Sequence, residues 1–202
     1  MKKALTFVLL VASFSLSAQT SKGSFMIGGN ADISFDKNDY DDLGYSKSKS
    51  ISISPEVAYF FVNNFSIGVS LPYGRSWSKT ITPSFPDFHS DGYSIGVAPI
   101  VRYYFPVKKF FIVTQGSYGW YYSKSTYDSL DPVTGIIDGT EEYTNKYRGF
   151  SLAAGPAFFL SPYSSIEILA NYGNTNYDAL DFDRSNFYIS VGFQIYVPKL
   201  SD

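Results

Sequence analysis

From Ser24 onward, apolar and polar residues alternate with a period of two in one segment after another. In 24–35, Phe25, Ile27, Gly29, Ala31, Ile33 and Phe35 share one face, against Ser24, Met26, Gly28, Asn30, Asp32 and Ser34. The segments 51–62, 65–76, 93–105 and 187–197 repeat that pattern, and 147–160 and 165–174 set apolar residues against mostly small or polar ones. Such alternation predicts half-buried strands, because successive side chains leave a strand on opposite faces. An eighth strand is predicted over 110–122, where both faces carry aromatic and polar residues and the parity stays open. No intervening region has the 3.6-residue period of an amphipathic helix.

The connections alternate in length. Asn63-Asn64, 106–109 and 161–164 read as tight turns, whereas 36–50, 78–92, 123–146 and 174–185 are long, polar and acidic. Short turns at one end and long loops at the other predict an eight-stranded antiparallel up-and-down β-barrel, with both chain ends on the short-turn side. Pro55, Pro99 and Pro156 each precede an aromatic cluster and a turn, a weak repeat of one plan per hairpin. Proline removes a ladder donor, so each is expected at a bulge or rim.

A water-soluble barrel has the same period, and the placement of charge decides between the two. Within the strands only Asp32, Glu56, Arg75, Arg102, Arg148 and Glu167 are charged, and Arg75 and Arg148 lie near the long loops. The polar face of a soluble barrel is missing, and the small polar face suits a crowded lumen. Aromatic residues make up 19% of the chain and charged residues only 17%, against a usual share of about 25%. Tyr59, Phe61, Tyr103 and Phe105 near the turns, with Tyr73, Trp77, Tyr93, Trp120 and Tyr122 near the loops, fit two interfacial girdles. A transmembrane barrel follows, and no segment beyond the N-terminus reaches the length of a spanning helix.

At the N-terminus, Lys2 and Lys3 precede an apolar run over 5–16 and small residues at Ser17 and Ala18, the pattern of a secretory signal peptide. Residues 1–18 are therefore read as a cleaved leader and 19–202 as the barrel domain. Loss of Lys2 and Lys3 takes the formal charge from −2 to −4. No clustered basic face suggests nucleic acid, and the absence of cysteine excludes disulfides and thiolate chemistry.

The stretch Pro55-Glu56-Val57-Ala58-Tyr59-Phe60-Phe61-Val62-Asn63-Asn64-Phe65-Ser66-Ile67-Gly68 resembles the first hairpin of the outer-membrane protein beta-barrel domain family, small porin-like barrels related to the OmpA and OmpX groups. That family commonly shows a proline, a Gly-Tyr-Phe-like triplet, a short Asn/Asp turn, then an aromatic residue and a glycine. Ala58 stands in place of the usual glycine, and Phe193 and Tyr196 are followed by Pro198 to Asp202 instead of closing on an aromatic residue. The resemblance implies a bacterial outer-membrane location, with loops extracellular and termini periplasmic, and no catalytic residues.

Candidate chemistry is sparse. His89-Ser90-Asp91 are neighbours in a loop region, which is not how a fold assembles a triad. The acidic loop residues Asp39, Asp41, Asp42, Asp178, Asp181 and Asp183 are candidate binders of divalent cations that could bridge to lipopolysaccharide phosphates. No cofactor is implied. Parity points Glu56, Arg102 and Glu167 inward, and turn spacing sets Arg102 and Glu167 at similar height on strands that face each other, predicting a lumen charge cluster. Eight strands enclose a lumen just wide enough for side chains to fill. The expected function is a monomeric, non-enzymatic structural or surface-interaction barrel, in contact with membrane lipid, lipopolysaccharide and an extracellular ligand or partner. A small-molecule transporter or binder is the alternative, and a lipid-modifying enzyme a more distant one.

Overall fold

Each alternating segment forms a strand in the computed structural model, which describes residues 20–39, 44–83, 85–108, 110–130, 137–177 and 182–199. The leader read over 1–18 lies outside the described residues. Among them run nine strands: β1 (Phe25–Asp39), β2 (Tyr45–Val62), β3 (Phe65–Ser70), β4 (Tyr73–Thr82), β5 (Phe85–Val107), β6 (Phe110–Leu130), β7 (Ile137–Ser161), β8 (Ser164–Tyr177) and β9 (Phe182–Val197). Every pairing is antiparallel, and β1 pairs with both β2 and β9, so the sheet closes on itself. The closing seam runs over Phe25–Ala31 and Val191–Val197; beyond it β1 pairs only with β2 and β9 only with β8.

The ninth strand is a matter of one break. β3 and β4 both lie between β2 and β5, separated only by Leu71 and Pro72. Glu56 faces Ser70 before the break and Ile53 faces Tyr73 after it, so the register passes through unshifted. Pro72 has no N–H for the ladder, yet its carbonyl still accepts from Gly96 N at 2.9 Å, and Leu71 N donates to Pro55 O at 2.9 Å. The ring therefore has eight staves, as the alternation implied.

Side chains divide cleanly between the two faces. Outward stand Phe35 (78% exposed), Phe187 (71%), Ile33 (63%) and Leu160 (62%), within a band of exposed aliphatic and aromatic residues on every stave. An apolar surface of that extent needs an apolar solvent. Inward are Met26, Glu56, Phe60, Ile100, Arg102, Tyr104, Glu167, Leu169, Gln194 and Tyr196, all buried. The open parity of 110–122 resolves with Phe111, Val113, Gln115, Ser117, Gly119 and Tyr121 inward. The Tyr121 ring takes space that a side chain on Gly96 would need: a Cβ there would stand 2.4 Å from its Cδ1.

The strands are longer than the alternation of apolar residues suggested. Much of 36–50, 78–92 and 123–146 continues the ladders, giving β5, β6 and β7 lengths of 23, 21 and 25 residues. Crossing the apolar layer takes only about 9–11 residues. Beyond it, Ser, Thr, Tyr and Lys keep the hydrogen-bond ladder without needing an apolar face, so hydrophobicity marks the span and not the strand.

The short-turn end is tucked in. Asn64 adopts a φ of 65°, in the left-handed region that Asn tolerates. Residues 20–24 fold beneath β2: Gly23 N donates to Phe60 O at 2.8 Å and Asn64 N to Thr20 O at 2.7 Å.

Candidate functional site: the closed lumen

β2, β5 and β8 each send one charge into the lumen, and the three meet. Arg102 Nη1 donates to Glu56 Oε2 at 2.9 Å, and Nη2 donates to Glu167 Oε2. Arg102 and Glu167 are fully enclosed and Glu56 nearly so. A buried charge is tolerable only when paired and hydrogen-bonded, and the neighbouring staves meet that requirement. Glu56 Oε1 accepts from Asn30 Nδ2 and Gln115 Nε2, each at 3.1 Å. Glu167 accepts from Tyr104 OH and Gln194 Nε2, each at 3.3 Å. The guanidinium also lies 5.4 Å from the Tyr104 ring centre and donates to Met26 Sδ at 3.4 Å.

Below the cluster, toward the short turns, lies an aromatic floor. Phe60, Tyr104, Phe111, Phe159 and Tyr196 form a closed circuit, with successive ring centres 5.7, 6.3, 5.1, 5.1 and 6.3 Å apart. Such separations are those of contacting aromatic pairs. Tyr104 belongs to floor and cluster alike, and Tyr196 OH lies 3.4 Å from Tyr104 OH and 3.0 Å from Ser165 Oγ.

Toward the long hairpins the lumen changes character. Serine hydroxyls pair across neighbouring staves, Ser34 with Ser50, Ser78 with Ser90, and Ser117 with Ser151, each at 2.8 Å. On the outer wall, a groove of about 470 Å³ opens over β5, β6 and β7, bordered by Ile95, Val97, Trp120, Tyr122, Lys146 and Arg148.

Parity points Glu56, Arg102 and Glu167 inward and turn spacing sets Arg102 and Glu167 at similar height, but neither reaches their amide and phenol partners. Asn30, Gln115 and Gln194 share the inward parity, which is the signal that could have found them. The acidic loop residues do not gather in the same way. Asp39 pairs with Lys37 at 2.8 Å, Asp183 has only its backbone described, and Asp41, Asp42, Asp178 and Asp181 lie outside the described residues. Among the described residues no three His, Cys, Asp or Glu side chains are grouped to hold a metal. His89, Ser90 and Asp91 separate onto alternate faces: His89 Nδ1 sits 3.3 Å from Asp128, Ser90 bonds Ser78 inside, and Asp91 pairs with Arg75 outside.

Known structures with a similar course include Neisserial surface protein A, at 18% identity and a TM-score of 0.47, covering 86% of this chain and 99% of that one. OprG from Pseudomonas aeruginosa is 13% identical with a TM-score of 0.49, covering 90% and 99%. Ail, the attachment invasion locus protein of Yersinia pestis, is 17% identical with a TM-score of 0.41, covering 87% and 99%. No curated protein sequence matches. The model of the outer membrane protein beta-barrel domain matches residues 5–194, nearly the whole chain. With the closed antiparallel ring and its apolar outer band in view, the chain belongs to that outer-membrane β-barrel family.

Proposed function

We propose that this protein is a structural or surface-interaction barrel, closed to solutes, that works through the extended hairpins at its outward end. The observation that carries this reading is the aromatic circuit of Phe60, Tyr104, Phe111, Phe159 and Tyr196 lying under the Glu56–Arg102–Glu167 cluster. A solute would have to displace five packed rings, each from a different strand, and then a buried ion cluster whose three charges come from three strands. In this reading residues 1–18 are removed on export, the termini and short turns face the periplasm, the hairpins face outward, and the barrel is a monomer without enzymatic activity.

Planar-bilayer recording tests the closure. The reconstituted protein should show no steady unit conductance, and regular channels would favour the transporter reading instead. The groove over β5 to β7 is the observation on the side of a small-molecule binder, because it lies on the outer wall and does not depend on passage through the floor. Orientation is tested by single cysteines, since the chain has none of its own. A cysteine at Thr140 should react with an impermeant maleimide on intact cells and one at Lys108 should not; the reverse pattern would invert the topology.

A further inference from the structure

Three lysines stand abreast on the outer wall where the hairpins leave the apolar band. Lys37 of β1 lies opposite Lys47 of β2, which lies opposite Lys79 of β4. One row closer to the band, Lys49 lies between Phe35 and Trp77, and in the row after that Arg75 lies opposite Ile51. All five face outward by the alternation of their strands. Like charges placed directly opposite on one sheet face repel, so this arrangement calls for counter-charge.

The protein supplies only part of it. Asp39 meets Lys37 at 2.8 Å, Asp87 meets Lys79 at 2.6 Å, and Asp91 meets Arg75 at 3.1 Å. Among the described residues Lys47 and Lys49 have no carboxylate partner. They lie instead over rings, Lys47 at 5.0 Å from Tyr45 and Lys49 at 5.1 Å from Trp77. Among the described residues, five cations against three carboxylates leave two positive charges in excess, in a chain whose formal charge is −2. Directly toward the band are Phe35, Ile33 and Ile51, at 78%, 63% and 45% exposure. Cations above and bare apolar side chains below are complementary to an anionic amphiphile, with its headgroup on the lysines and its chains along the strands.

We propose that this patch binds the phosphorylated headgroup of a membrane lipid in the leaflet at the long-hairpin end. A phosphate set between Lys47 and Lys49 would relieve the repulsion within the rows, and a Lys ammonium close to a phosphate is a strong charge-assisted donor. The site rests on the reading of the wall as lipid-facing. Its test is made in detergent, so it does not depend on which end faces outward in the cell.

Trp77 lies 5.1 Å from Lys49 and 5.3 Å from Arg75, which makes it a built-in reporter. The other tryptophan is Trp120. The full-length protein carrying Trp120→Phe, refolded in uncharged micelles, is titrated with bis-phosphorylated lipid A, with dephosphorylated lipid A of the same acyl composition, and with inorganic phosphate. Saturable change in Trp77 emission is expected for phosphorylated lipid A alone. Adding Lys47→Gln and Lys49→Gln should weaken binding about tenfold or more, while Lys124→Gln with Lys146→Gln on another part of the wall should leave it unchanged. The lysine variant should also keep or raise its thermal stability without lipid, because repulsion is removed; loss of binding through misfolding would lower it. Independently of any variant, binding to the unaltered lysines should weaken as salt rises. Equal response to the dephosphorylated lipid, undiminished binding by the stably folded lysine variant, or saturation by inorganic phosphate alone would overturn the proposal.

Discussion

The two halves of the barrel are built from the same staves but held by different chemistry. In the short-turn half, the lumen is filled with rings and a shared ion cluster, and nearly every inward side chain is enclosed. In the long-hairpin half, serine hydroxyls pair across neighbouring staves, Tyr121 and Tyr147 stack with ring centres 5.0 Å apart, and the strands run on past the apolar band. The first half therefore concentrates interactions that fail badly when one member is removed, and the second spreads many weak ones. The stability concentrates in the first, and in the proposed function the first also closes the lumen while the second meets other molecules.

Substitutions should rank accordingly, with equilibrium unfolding in urea as the common measure. Arg102→Leu should cost most, about 3–5 kcal/mol, because it leaves two carboxylates buried without their cation. Phe60→Ala comes next, at about 3 kcal/mol, through the cavity it opens in the floor. Ser117→Ala, which removes one hydroxyl pair in the upper lumen, should cost about 1 kcal/mol or less. Lys124→Gln should change nothing measurable. The Glu142 carboxylate, through a hydrogen bond and its charge, holds the Lys124 ammonium above the usual lysine range. Any contribution would thus be present at neutral pH and lost as pH rises through that raised value, but an exposed pair is screened by water. A Ser117→Ala loss as large as that of Phe60→Ala would erase the contrast between the halves.

How much of this was legible in the sequence follows the same division. Where one face meets lipid, the period of two marks each residue as inward or outward, and Arg102, Glu56 and Glu167 could be aimed at the lumen from parity alone. Turn spacing then gives a similar height for Arg102 and Glu167. The β6 segment was ambiguous because Phe111, Val113 and Tyr121 fill the lumen while Ile112, Tyr118 and Trp120 stand on the wall, so both faces look alike. Beyond the band, hydrophobicity no longer reports on the ladder, and the hairpins read as loops. The lysine rows were hidden for a further reason: Lys37, Lys47 and Lys79 are neighbours only through the pairing register of β1 with β2 and of β2 with β4. The acidic loop residues cluster in sequence, whereas the cations cluster in space.

The claim on which the rest depends is that Arg102 is a single cation shared by carboxylates from opposite sides of the lumen. A double-mutant cycle on Arg102→Leu and Glu167→Leu, read by unfolding in the same micelles, tests it most directly. With the shared cluster, Glu167→Leu alone costs less than Arg102→Leu, because the arginine keeps Glu56. The double variant should then recover at least about 1 kcal/mol relative to the sum of the two losses. Losses that simply add would show two independently accommodated charges and would contradict the account.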